Sequence, residues 1–198
     1  FRVTYLEPDR NGIVAPEVVR AAITSDTILV SIMHANNEIG TIQPLREIKE
    51  LLEDLCPSAS LHVDAVQSFT KLDVRPRALG ATTLALAGHK IHGPKGVGLL
   101  YVKRGSRLRP QLVGGGQERG LRSGTENVPG IVGFAAAAGL SSPPAGLSSA
   151  EGLSSSPSSG RGEAAAEQRG PSASRGRTIA NHDAVGRAVA GALPRDFE

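Results

Sequence analysis

The chain has 198 residues and a formal charge of +3, long enough for one ordinary domain with a sizeable core. That mild basicity suits an anionic ligand; with no Lys/Arg run interleaved with aromatics, it does not point to a nucleic acid. The single cysteine, Cys56, excludes an internal disulfide framework and points to a reducing compartment, the cytoplasm or an organelle, and no apolar run approaches the roughly 20 residues of a membrane span.

The first residue is Phe1, and the chain opens in what reads as mid-strand. A fragment or processed chain is therefore expected, with any targeting peptide out of view. Residues 2–7 alternate enough to form a strand. Pro8-Asp9-Arg10-Asn11-Gly12 is turn chemistry, and Pro16 is placed to start a short helix through Ala22. Residues 28–33 are a continuous apolar run, the pattern of a strand buried on both faces of a parallel sheet. Pro44 opens the clearest helix, with Leu45, Ile48, Leu51, Leu52 and Leu55 on one stripe. Glu47, Lys49, Glu50 and Glu53 take its solvated side, and Pro57 stops it.

Residues 61–66, 81–87 and 97–103 follow as strands, all short on aromatic residues, so the core is aliphatic. Strands alternating with helices predict an α/β layered sheet with right-handed crossovers. The connection from 81–87 to 97–103 is tight, which predicts one antiparallel strand in a mixed sheet.

Between those last two strands lies Lys90, in LALAGHKIHGPKGVG (84–98), flanked by His89 and His92. It reads either as an ordinary lysine in a Gly/Pro loop or as a Schiff-base lysine, whose amine attacks a carbonyl. A phosphate-binding P-loop fails, because Gly93 is followed by Pro94-Lys95-Gly96 and not by Lys-Ser/Thr. Upstream, Asp64 ends a strand and Gln67 follows three residues later. In an open parallel sheet Asp64 and Lys90 both lie along the carboxyl edge, where ligands bind. A pyridoxal phosphate site needs such a lysine, and an acid to keep the pyridine nitrogen protonated. His62, His89 and His92 with Asp64 have metal-like spacings, but no water-activating Glu accompanies them, and no metal is expected.

Four blocks carry a specific resemblance: MHANNEIG (33–40), HVDAVQS (62–68), GHKIHGPKGVG (88–98) and GGGQERGLRSGTENV (114–128). In order and spacing they resemble the cysteine desulfurase and selenocysteine lyase family, pyridoxal-phosphate enzymes of the class V aminotransferase group, over about residues 1–140. The resemblance implies a fold-type I large domain, a three-layer α/β structure with a mixed, mostly parallel sheet, truncated at both ends. It implies that Lys90 carries pyridoxal 5'-phosphate as a Schiff base and later shuttles the substrate's α-proton. Asp64 pairs with the pyridinium nitrogen, Gln67 bonds the phenolic oxygen, and Asn37 lies beside that oxygen and the substrate. His89 matches a phosphate ligand, and Thr125 matches the threonine that reaches the partner subunit's phosphate in family homodimers. Ala87 stands where the family often has a serine or another small residue, so one possible hydroxyl donor to the phosphate is absent.

The implied activity is cleavage of the C–S bond of cysteine to alanine, with enzyme-bound sulfur passed to an acceptor protein for iron–sulfur cluster or thio-cofactor supply. Gly124-Thr125-Glu126-Asn127 is shared with selenocysteine lyases, so selenocysteine stays open as substrate. A non-catalytic remnant or dimerisation module is the other reading. The family's N-terminal phosphate loop and ring-stacking histidine are expected before Phe1, and its substrate-clamping arginine and persulfide cysteine after Leu140. Cys56, at a helix end, reads as an idle thiol. Beyond Leu140, Gly-Leu-Ser-Ser recurs at Gly139, Gly146 and Gly152. Residues 141–178 are low in complexity and expected to be disordered; 179–198 form a short C-terminal segment of unknown role, with a short helix expected over 179–193.

Overall fold

The computed structural model describes residues 1–141 and the backbone of Arg177–Ile179. The rest of the low-complexity stretch and of the C-terminal segment, with its expected helix, lies outside the described residues.

Five strands form one mixed sheet in the order β1-β2-β3-β4-β5: β1 Leu29–Met33, β2 Ser60–Asp64, β3 Thr83–Ala87, β4 Gly98–Val102 and β5 Arg177–Ile179. β1, β2 and β3 run parallel, in a register that aligns Met33, Asp64 and Ala85. β4 pairs antiparallel with β3, as the tight connection requires, and β5 pairs antiparallel with β4. The glycine at the start of β4 permits this pairing, because a Cβ on Gly98 would stand 2.8 Å from the Leu86 carbonyl oxygen.

Helix α1, Pro16–Ala22, begins where its proline allows, since the first turn has no use for that missing N–H. Helix α2, Leu45–Leu55, buries Leu45, Ile48, Leu51 and Leu52. Leu55 is 40% exposed, so the apolar stripe stops one turn short of the expected end. These side chains join Val19 of α1 and the inward residues of the sheet, Leu61, Val63, Leu84, Leu86, Leu99 and Tyr101, in one core. The inward set follows the period of two along each strand. The other face carries Ser31, His62 and Thr83 side by side in register, and is half-exposed.

Three expectations are corrected. Arg177–Ile179 form a strand, where low-complexity disorder through residue 178 and a helix from residue 179 were expected, because the edge of β4 takes up their backbone groups. Residues 2–7 form no strand; Phe1, Val3 and Tyr5 are exposed, and alternation makes a strand only where a sheet edge takes up its backbone groups. β1 is not buried on both faces: Leu29 is 53% and Met33 38% exposed, because β1 stands at the sheet edge among the described residues.

A third helix, α3 (Val128–Leu140), was not foreseen from the sequence. Asn127 caps it, its side-chain oxygen accepting from the Gly130 N–H at 3.1 Å. Its residues are apolar all round, so no amphipathic stripe announces it. Small side chains let it lie close: Ala135, Ala137 and Ala138 are buried with Phe134 in the common core.

Candidate active site

The parallel arrangement of β1, β2 and β3 brings their carboxyl ends to a single edge of the sheet. Each strand there runs into a loop that is fastened from behind and leaves selected polar side chains free.

After β1 the chain stays tied to β2, the His34 N–H donating to the Asp64 carbonyl at 2.7 Å. It then turns back, with Ala35 bridging Ile42. Asn36 builds the turn: its side-chain oxygen accepts from the N–H groups of Glu38 (2.8 Å) and Ile39 (3.1 Å). Gly40 completes it at φ +72°, a conformation natural to glycine. Asn37 is left exposed, and its carboxamide makes no hydrogen bond among the described residues.

After β2, Asp64 is exposed, with Oδ1 accepting from the Val66 N–H at 2.9 Å. Ala65 is wholly buried, its N–H given to the Ala85 carbonyl of β3. The following turn is anchored by Ser68 and Phe69, 1% and 5% exposed. Between the anchors Gln67 is half-buried, and its carboxamide has no partner among the described residues.

After β3 comes the 3-10 turn Gly88–Ile91. Ile91 is buried in the core, while His89 and Lys90 beside it are exposed. The Gly88 N–H donates to the Val97 carbonyl at 3.0 Å, and the Gly93 N–H to the Gly88 carbonyl at 2.9 Å. Glycine is required at 93, where a Cβ would lie 2.9 Å from the Gly88 carbonyl oxygen and 3.3 Å from the Ala137 side chain. The lysine loop is thus pressed against α3. Lys90 enters no ion pair or hydrogen bond among the described residues.

Five of the six sequence-derived site residues therefore stand at one sheet edge: Asp64 as the last residue of β2, and Asn37, Gln67, His89 and Lys90 in the segments that follow the strands. Thr125 follows in a later loop. It lines an open cleft of about 620 Å³ formed by residues 111–125, together with Gly114, Gly115, Arg122 and Ser123. That loop is closed by the Ser123 hydroxyl donating to the Gly115 carbonyl at 2.8 Å and by the Gly124 N–H donating to Gln117 Oε1 at 3.2 Å.

Two histidines near the edge went unused in the sequence-derived site. His34 is only 6% exposed, and its Nδ1 has no hydrogen-bond partner. Burial pushes its pKa below the usual 6.5, with Asp73 acting weakly the other way. His62 is half-buried on the open sheet face, Nδ1 lying 2.8 Å from the Thr83 hydroxyl. Burial lowers its pKa too, and Asp64 opposes the shift. Only polar residues standing in a strand pattern hinted at either. Among the described residues no group of three or more His, Cys, Asp or Glu side chains could hold a metal ion. Cys56 is 4% exposed, and its Sγ donates to the Thr27 carbonyl at 3.4 Å.

The family model described as aminotransferase class-V matches residues 1–151, running past Leu140, where the motif resemblance stops. The chain is 51% identical over 138 residues to cysteine desulfurase IscS 1 of Archaeoglobus fulgidus, covering 70% of this chain and 35% of that protein. It is 50% identical over 140 residues to cysteine desulfurase IscS of Methanosarcina thermophila, covering 71% of this chain and 34% of that one. It thus spans about a third of the length of these curated relatives. Among solved structures it resembles a NifS-like protein, at TM-score 0.67 and 47% identity over 69% of this chain and 38% of the other. It also resembles SspA, solved in complex with cysteine, at TM-score 0.66 and 45% identity over 69% of this chain and 40% of that one. The fold is that of these NifS-like enzymes, fold-type I and α/β. With its family model matched over three-quarters of its length, the chain belongs to the class-V aminotransferases, a family of pyridoxal-phosphate enzymes.

Proposed function

We propose that this chain is the cofactor-holding part of a pyridoxal-phosphate-dependent cysteine desulfurase, working in a reducing compartment as a homodimer with a sulfur-acceptor protein. The observation that carries the reading is the sheet edge, where a free amine, a carboxylate and an unbonded carboxamide stand on adjacent strand ends. Pyridoxal phosphate asks for that donor set. Its carbonyl needs an amine held by no counter-ion, which describes Lys90. Its ring nitrogen needs a carboxylate with an oxygen to spare, and Val66 occupies only Oδ1 of Asp64. Its phenolic oxygen needs a donor, and the Gln67 and Asn37 carboxamides are both available.

When bound, the cofactor supplies an electron sink for the charge left at the substrate's α-carbon. The chain's residues supply the rest. Lys90 would hold the cofactor through its amine and would move the proton at the substrate's α-carbon. Asp64 keeps the ring nitrogen protonated, which maintains the sink. Gln67 and Asn37 orient the phenolic side of the ring. His89 donates toward the phosphate, and Thr125, from its own cleft, reaches the phosphate of the second subunit. Cys56 does not fit the role of accepting thiol, because its sulfur is buried and already donates a hydrogen bond.

The test is to titrate the purified chain with pyridoxal phosphate, and then to supply cysteine with a small dithiol as acceptor. A visible absorption band that is lost in Lys90→Ala, with the circular dichroism unchanged, supports the reading. Alanine formed in proportion to that band extends it to the reaction. A band of equal strength in Lys90→Ala would overturn it.

A further inference from the structure

We propose that His62 is a positioning residue for Asp64: fixed by Thr83 on the open face of the sheet, it governs how much of the carboxylate's charge is left for a cationic ring nitrogen. The inference rests on the function proposed above and adds to it a residue that the six-member site does not contain.

The geometry follows from β2. Side chains two apart on a strand share a face, so His62 and Asp64 point the same way, roughly 7 Å apart along the strand at its usual rise. The imidazole is not free to turn away, because Nδ1 is 2.8 Å from the Thr83 hydroxyl on the adjoining strand. In register with it, Ser31 of β1 lies on one side and Thr83 of β3 on the other, with Val102 of β4 beyond. On its own strand the neighbours on that face are Ser60 and Asp64. The same row ends at Arg177 of β5, three strands from β2; among the nearer neighbours only Asp64 carries a charge, and it acts on the His62 proton.

Coupling of this kind is reciprocal. While His62 is neutral, Asp64 has its full charge for the pyridinium nitrogen. Once His62 is protonated, two cations face a single carboxylate that also holds the Val66 N–H. Burial favours the neutral ring, so the grip is strongest at neutral pH and slackens as the solution is acidified. A histidine serving only as packing would leave cofactor affinity flat across that interval.

The test uses the full chain and starts without cofactor. The His62 ring is titrated by NMR in the wild type and in Asp64→Asn, which keeps an oxygen for the Val66 N–H. The expected result is a midpoint lower by about half a pH unit in Asp64→Asn, the size that Coulomb's law gives at roughly 7 Å in a water-like medium. Pyridoxal phosphate affinity is then measured against pH in the wild type and in His62→Gln. The wild type is expected to lose affinity as pH falls through the His62 midpoint, and His62→Gln to show no such loss. An unchanged midpoint in Asp64→Asn, or parallel pH profiles in the two proteins, overturns the role of His62. A midpoint that moves while no variant binds the cofactor overturns the proposed function instead, so the two failures are distinguishable.

Discussion

Lys90 owes its availability to its neighbours. Ile91 fastens the loop in the core, and two glycines let it press against α3, so Lys90 is left exposed and without a partner among the described residues. A methyl group at 93 cannot be accommodated without moving the Gly88 carbonyl or α3. Gly93→Ala is therefore expected to cost about 1–3 kcal/mol, the usual range for overpacking, and to reduce cofactor labelling at Lys90; denaturant melts and labelling check the two effects. The histidines give a second expectation at this scale. Burial lowers the pKa of both His34 and His62 from 6.5, so the unfolded chain holds those protons more tightly. Their contribution to stability is intact above about 6.5 and is lost as pH falls from there through their folded values. Melting temperature should fall over that window, and His34→Gln should reduce the fall; an identical pH dependence in the variant would exclude His34. Asp64 and Lys90 were legible in the sequence because a reactive residue type at the end of an apolar run is itself informative. Asn37 was singled out by the motif resemblance, and only the structure shows that Asn36 builds the turn and leaves its neighbour exposed. His34 was not, since its burial is decided by the chain folding back through Gln43, which the local sequence does not record.

Among the elements, legibility followed amphipathicity. α2 announced itself through its apolar stripe, and α1 through Pro16. α3 did not, because a helix apolar on every side carries no period and its small residues resemble a loop. β1 to β4 were found to within two residues and β5 was missed, and the antiparallel turn into β4 was dictated by the length of the connection. Residues 2–7 misled because alternation records a potential for pairing and not the presence of a partner. The α2 stripe yields a graded expectation. Ile48 is fully buried, so Ile48→Ala should cost about 2–5 kcal/mol. Leu55, on the same stripe but 40% exposed, should lose about 1 kcal/mol or less on truncation. Equal losses at the two positions in urea melts would mean that the last turn of α2 is packed as tightly as its first.

For the whole molecule, family membership and site chemistry rest on different grounds. The family rests on a match across residues 1–151, and it was legible because four separate motifs kept their order. The chemistry rests on the sheet, which carries Asn37, Asp64, Gln67, His89 and Lys90 to one edge from positions more than fifty residues apart in the chain. Such a site ought to select one lysine among the five of the chain, Lys49, Lys71, Lys90, Lys95 and Lys103. Borohydride reduction of the chain with pyridoxal phosphate, followed by peptide mapping, measures that selection directly. The expected result is a pyridoxyl group on the Lys90 peptide in large excess over the other four, strongly reduced in Asp64→Ala; label spread evenly over all five lysines, or undiminished in Asp64→Ala, would contradict it.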